Sequence, residues 1–166
     1  MIFAKYGAVA LVVLVAAVLL YIRLAPMDPA QWHTDPHKAA KAAKPNDYLV
    51  RAFGQTPDGD RVAGLYTLPF TTLCFHLQAT ALQEPRTTVL AGSCDLGFIT
   101  LVQRSRLMGY PDAISIMADR VGEDMSTLAI YSRSRFGEAD FGVNKARVDR
   151  WLACIAADLA SPQPTS

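Results

Sequence analysis

The sequence predicts an α+β domain: an antiparallel four- to five-stranded meander sheet with two helices on one face, preceded by one N-terminal transmembrane helix. Three observations predict it. An uncharged apolar run extends from Tyr6 to Ile22 between Lys5 and Arg23. Two later stretches repeat apolar residues at three and four positions, the period of an amphipathic helix. Between them lie four strand-like runs whose connections are too short for crossover helices, so neighbouring strands must be antiparallel.

The apolar run meets the lower limit of about 17 residues for a helix that crosses about 30 Å of hydrocarbon. Lys5 and Arg23 can snorkel outward, and Tyr6 and Tyr21 stand where interfacial aromatics belong. A cleaved signal would show small residues just past the run, and Arg23-Leu24-Ala25-Pro26-Met27-Asp28-Pro29 has no small-x-small pair there. The expectation is an uncleaved anchor over 1–24, in a cell inner membrane, with the rest exported to the periplasm. Residues 25–46 read as a juxtamembrane tether, interrupted by Pro26, Pro29, Pro36 and Pro45. Lys38, Lys41 and Lys44 form a basic stripe that a lipid surface could attract, against the plainer reading of a solvated spacer. His33 and His37 are four apart, but Pro36 breaks the helix that would let them share a metal.

The domain itself is expected over 47–160. Arg61 to Leu68 alternates after the turn-forming Pro57-Asp58-Gly59-Asp60 and reads as a strand. Phe70, Leu73, Cys74, Leu77 and Ala81 make one helical stripe, capped by Thr71 or Thr72 and ended by Pro85. Strands follow at Arg86–Ser93, Leu96–Leu107, Asp112–Asp119 and Met125–Arg135. A last helix starts near Val143, with Val148, Leu152, Ile155 and Leu159 as its stripe and Trp151 widening it. Residues 161–166, with Pro162 and Pro164, read as a disordered tail.

Beyond Lys5 and Arg23, fourteen basic residues face fifteen acidic ones, a near-neutral domain. That balance argues against nucleic acid, which demands a dense cationic footprint. Three cysteines, Cys74, Cys94 and Cys154, lack CxxC or CxxH spacing, so structural zinc is not expected. They read as three buried small hydrophobes, or, if exported, as one disulfide and one spare thiol. No catalytic constellation, cofactor motif or metal-ligand set emerges.

Strand alternation sorts the remaining candidates. Ile99, Leu101, Gln103, Ser105 and Leu107 share one face of the second of the four strands, and Phe98, Thr100, Val102, Arg104 and Arg106 the other. In the fourth strand Arg133 and Arg135 likewise oppose Leu128, Ile130, Ser132 and Ser134. Arg104, Arg106, Arg133 and Arg135 on one sheet face could clamp a phosphate or carboxylate through bidentate bonds. The alternative is an exposed charge network with Asp112, Asp119, Glu138 and Asp140. Phe98, Thr100, Val102 and Tyr131 make that face more apolar than a free surface needs. Something is expected to cover it: a ligand, the membrane, or the Asp47 to Gln55 segment.

Glu84-Pro85-Arg86-Thr87, the run Arg104 to Asp112, and Ser132-Arg133-Ser134-Arg135-Phe136-Gly137-Glu138-Ala139-Asp140-Phe141-Gly142-Val143-Asn144 resemble the family called domain of unknown function 1499. The resemblance runs from about Leu65 to Ile155. It implies no established activity, but its members often carry an N-terminal signal or membrane segment. Gln103 departs from it, standing where the family prefers an aromatic or aliphatic core residue, so the inner face there should be wetter. Within the last segment, Gly137 and Gly142 permit turn geometry and Asp140 or Asn144 can cap the final helix. A helix start beside Arg133 and Arg135 would also suit an anion.

The sequence therefore supports a membrane-anchored, non-enzymatic binding or scaffolding module of the bacterial cell envelope. Its expected partners are the membrane and a small anionic ligand or envelope protein. The competing reading is an anion-binding or hydrolytic domain built on Arg104, Arg106, Arg133 and Arg135, with Asp140 and Asn144 beside them. Hydrolysis is the weaker half, because Ser105, Ser132 and Ser134 lie far in sequence from any histidine that could act as base.

Overall fold

The computed structural model describes residues 2–56 and 58–160; Pro57 of the expected turn and the expected tail 161–166 lie outside the described residues. Its first element, α1 (Ile2–Leu24), has 23 residues and so reaches about 35 Å at 1.5 Å per residue. The stretch Lys5–Leu24 is apolar and long enough to cross a membrane, and none of the 18-residue window that marks it is buried by the rest of the chain. A signal sequence near the N-terminus has the same character.

The head is built on one six-stranded sheet, two strands from which the meander expectation departs. Its strands are β1 (Asp47–Arg51), β2 (Arg61–Val62), β3 (Thr87–Ser93), β4 (Phe98–Arg104), β5 (Pro111–Arg120) and β6 (Ser126–Ser134), in the order β2-β1-β6-β5-β4-β3. The four expected strands form the antiparallel meander β3 to β6. β1 adds antiparallel to β6, and β2 adds parallel to β1, so the sheet is mixed. Of the expected strand Arg61 to Leu68 only Arg61–Val62 pairs in a ladder, with one further bridge from Tyr66 to Ser126. Gly64 offers no side chain to pack, and Pro69 offers no N–H, so the intervening chain has little reason to stay in the ladder.

Helices α3 (Phe70–Gln83) and α4 (Val143–Ala160) cover one face. They bury Leu73, Leu77, Ala81, Val148, Trp151, Leu152 and Ile155 against Ile99, Leu101, Ile114, Ile116, Leu128 and Ile130. Each such aliphatic side chain contributes about 1.5–3 kcal/mol when fully buried. Neither Thr71 nor Thr72 caps α3. Pro69 holds the cap position with no side-chain bond, a role its fixed φ suits. Cys74 of α3 is bonded to Cys94, which opens the 3-10 turn Cys94–Leu96 between β3 and β4. Two of the three cysteines are therefore a disulfide, and Cys154 is exposed on α4 instead of buried.

The expected spacer is a strap. After Leu24 the chain passes through the short helix α2 (Pro29–Trp32) and lies across the sheet face opposite α3 and α4. Ala25, Pro36 and Ala39 are buried. The segment Asp47 to Gln55, expected as a cover, supplies β1 within the sheet and cannot cover it.

Candidate functional site

Register brings Arg104 and Arg133 onto the strap-covered face, and Arg135 follows just beyond the end of β6. None of the three holds an exposed charge network. Arg104 donates to the carbonyl of Ala25 at 2.7 Å and to that of Gly109 at 3.2 Å. Arg133 donates to the carbonyl of Gln31 at 2.9 Å and to Thr34 Oγ1 at 2.7 Å, with its guanidinium 4.6 Å from the Trp32 ring centre. Arg135 donates to the Pro26 carbonyl and lies near Met27 Sδ. Burial, then the neighbouring Arg135 charge, pushes the Arg104 pKa below its ordinary value. Carbonyl oxygens of the strap thus occupy the donors that sequence pattern offers to an anion. Arg106 is not on this face at all. β4 ends at Arg104, and Arg106 sits in the exposed turn that leads to β5.

Two histidines complete the clasp with different partners, so they do not meet around a common centre. His33 stacks on Phe98 at 3.8 Å and its Nδ1 lies 2.8 Å from Thr100 Oγ1; burial lowers its pKa. His37 Nε2 reaches Asp119 at 3.0 Å and its Nδ1 meets Gln55. The hydrogen bond to Asp119 is the chief cause of a raised His37 pKa, working against burial. Arg51 ties the far end of the strap by donating to the carbonyls of Pro36, His37 and Ala39. Glycine at position 92 is required here: φ is +83°, and a Cβ would stand 2.2 Å from the Phe98 carbonyl oxygen and 2.9 Å from the His33 ring.

Asp140 and Asn144 form a knot under α4. Asp140 accepts from the backbone N–H groups of Gly142 and Asn144, filling the helix N-terminus with its own carboxylate. Fully buried Asn144 accepts from Ser132 Oγ at 2.6 Å and donates to the Asn46 carbonyl, Ser134 Oγ and Asp140. The expected anion place at this helix start is taken by Asp140, and Ser132 and Ser134 are engaged with Asn144 instead of a histidine.

Beside the knot runs a polar network that the sequence pattern left unremarked. Arg147, 3% exposed, donates to Asp112 at 2.6 Å, to Asn144 at 2.8 Å and to Gln103 Oε1 at 2.6 Å. Gln103 in turn donates to Glu84, which also accepts from Trp151 Nε1 and Arg150. Burial pushes the Glu84 pKa up, but these hydrogen bonds and the Arg150 charge outweigh it, leaving the pKa below its ordinary value. Gln103, the departure from the resemblance, bridges the buried Arg147 and the half-buried Glu84, and the wetter inner face is this network. A signal existed: Arg147 precedes Trp151 by one helical repeat, a charge at the margin of the apolar stripe.

An open groove of about 630 Å³ borders the start of α4, lined among others by Lys41, Lys44, Tyr48, Asp60, Phe141 and Lys145. Its lysines are already paired, Lys41 with Asp60, Lys44 with Glu138 and Lys145 with Asp149. The basic stripe is therefore split among carboxylates. Among the described residues no cluster of three or more histidine, cysteine or carboxylate groups could hold a metal.

Fold and site together define an α+β head, strapped to an N-terminal apolar helix and closed by a disulfide, with Arg51, Arg104, Arg133 and Arg135 engaged by the strap. The chain belongs to the family described as protein of unknown function (DUF1499), whose match spans residues 25–155 and so takes in the strap as well as the sheet. No curated protein and no solved structure matches it.

Proposed function

We propose that this protein is a single-span component of the bacterial inner membrane whose periplasmic head acts by binding or scaffolding, not by catalysis. The observation that carries this reading is the occupied arginine face. The residues best suited to grip a substrate anion hold the strap, making helix and head one continuous piece. Burial of Ala25, directly after α1, favours an anchor that stays attached. The Cys74–Cys94 disulfide suits an oxidising compartment. His33 and His37 lie on the strap face while Ser132 and Ser134 lie beneath α4, so the sheet separates these two bases from those two hydroxyls, and the hydroxyl that His33 does meet, Thr100 Oγ1, is fully buried. Away from Phe141 at its edge, the groove beside α4, with its pre-paired lysines and carboxylates, is the surface we assign to an envelope protein partner. For a small anion, a carboxylate already beside each of the groove's lysines lowers the local positive potential.

Fractionation with topology reporters tests this. The full chain should stay in urea-washed membranes, and a C-terminal reporter active only after export should be active. Recovery of a soluble chain lacking α1 would overturn the anchor. Ester or phosphate turnover by the purified protein, abolished by one substitution, would overturn the binding reading.

A further inference from the structure

One end of the sheet gathers every loop that lies close to the end of α1. Register places Asp47, Ser134, Asp112, Gln103 and Thr87 in neighbouring strands at that end. The β4–β5 turn, the loop after β6 and the start of β1 all project from it. The exit of α1 is fastened there: Arg23 donates to the Leu107 carbonyl, Arg104 to that of Ala25 and Arg135 to that of Pro26. Gly109, at φ +71°, admits the Arg23 side chain so closely that a Cβ would stand 2.9 Å from its Cγ. The turn that carries Arg106, Leu107 and Met108 therefore lies against the last turn of the apolar helix, at the depth where that helix leaves the bilayer.

The side chains on this rim suit that depth. Leu107 is 83% exposed and Phe141, on the loop after β6, is 97% exposed. Arg23, Arg86 and Arg106 stand among them; of the exposed carboxylates nearby, Glu138 is paired with Lys44 and Asp28 caps α2. Exposed apolar side chains ringed by cations are the chemistry of an anionic lipid interface. Exposure alone does not single out this rim, because Leu96 is 81% exposed at the opposite end of the sheet. Continuity with α1 does. We propose that the Ser105–Tyr110 turn, together with Phe141 on the loop after β6 at the same end of the sheet, is a second membrane contact. Leu107 and Phe141 enter the headgroup–acyl boundary, and Arg23 and Arg106 hold the phosphates of anionic lipid. The head is then seated on the bilayer at several points. The proposal rests on α1 being embedded.

Nitroxide depth measurements on the full chain in phosphatidylcholine–phosphatidylglycerol vesicles test it. In a Cys154→Ser background, labels are placed through Leu107→Cys, Phe141→Cys, Leu96→Cys and, inside α1, Val12→Cys. Labels at Leu107 and Phe141 should collide with oxygen, relative to an aqueous nickel chelate, several-fold more often than the label at Leu96. Adding Arg106→Glu should shift the Leu107 label toward water. A deep label at Val12 with Leu107 as aqueous as Leu96 overturns the second contact and leaves the anchor standing. A shallow label at Val12 overturns both. A Leu107 label that loses mobility only as protein is concentrated in the vesicles identifies a second copy as the occupant and overturns the lipid assignment, as does indifference to Arg106→Glu.

Discussion

The two faces of the sheet are both covered, and by opposite means. On one, α3 and α4 bring side chains to side chains: an aliphatic core with a single polar seam from Asp112 through Arg147 and Gln103 to Glu84. On the other, a strap without regular structure over most of its length brings its backbone carbonyls to the sheet's arginines and its two histidines to side chains of the head. The first cover is hydrophobic and cooperative with the fold. The second is a row of directional bonds, each worth about 0.5–3 kcal/mol, which can loosen locally without unfolding the head.

The sharpest way to break this contrast is at the seam. Arg147→Met leaves the Asp112 carboxylate buried without its counter-charge and should cost about 3–5 kcal/mol in denaturant unfolding. The pair Arg147→Met with Asp112→Leu should recover most of it, because an apolar replacement of both partners removes the stranded charge. If the double variant is as unstable as the single, the seam is not an ion pair set in a hydrophobic cover.

The same contrast explains what sequence pattern reveals. α3, α4 and the four meander strands announce themselves because side-chain burial leaves a period of 3.6 or 2 in the residue types. The strap does not: a carbonyl is the same at Ala25, Pro26 and Gln31, so the acceptors that engage Arg104, Arg135 and Arg133 leave no trace in residue identity. The arginine face was legible as a covered face from Phe98, Thr100, Val102 and Tyr131, but its cover was not. β1 was missed because Tyr48 to Arg51 is buried on both sides and shows no alternation. One disulfide with a spare thiol was an open alternative, but three cysteines without a motif fix no pairing, so Cys74–Cys94 was not legible. Of the two cap candidates Asp140 serves as one, while the Asn144 side chain is spent on the buried knot instead.

A second test concerns the disulfide, which ties α3 to the β3–β4 corner and touches only the helix side. Cys74→Ala with Cys94→Ala opens a loop of about 20 residues and should cost about 3 kcal/mol of global stability. Amide protection of residues 29–39 should hardly change. Arg133→Ala should do the reverse. It removes the bonds to Gln31 and Thr34 and the stacking on Trp32, so strap protection should fall by about 1–2 kcal/mol while the denaturation midpoint moves little. Equal loss on both faces would show one cooperative unit and dissolve the contrast.

The smallest effect separates the faces by pH. Glu84 has a folded pKa below its ordinary 4.5, so its contribution is complete above that value and fades only as pH falls through the folded pKa. Above pH 5, roughly, the helix side is insensitive to this group, while the strap is not. His37 has a raised pKa: its contribution is complete below the ordinary 6.5 and is lost as pH rises through the folded value. His33 has a lowered pKa: its neutral form is accommodated without cost above 6.5, and the strap weakens as pH falls from there through the folded value. The two limbs meet near 6.5, where the strap should be tightest. Protection factors of residues 33–39, corrected for intrinsic exchange, should therefore peak near that pH and decline on both sides. His37→Gln should flatten the alkaline limb and His33→Gln the acid one. A profile flat from roughly pH 5 to 8 would mean that the arginines alone hold the strap and its histidines merely fill space against the sheet.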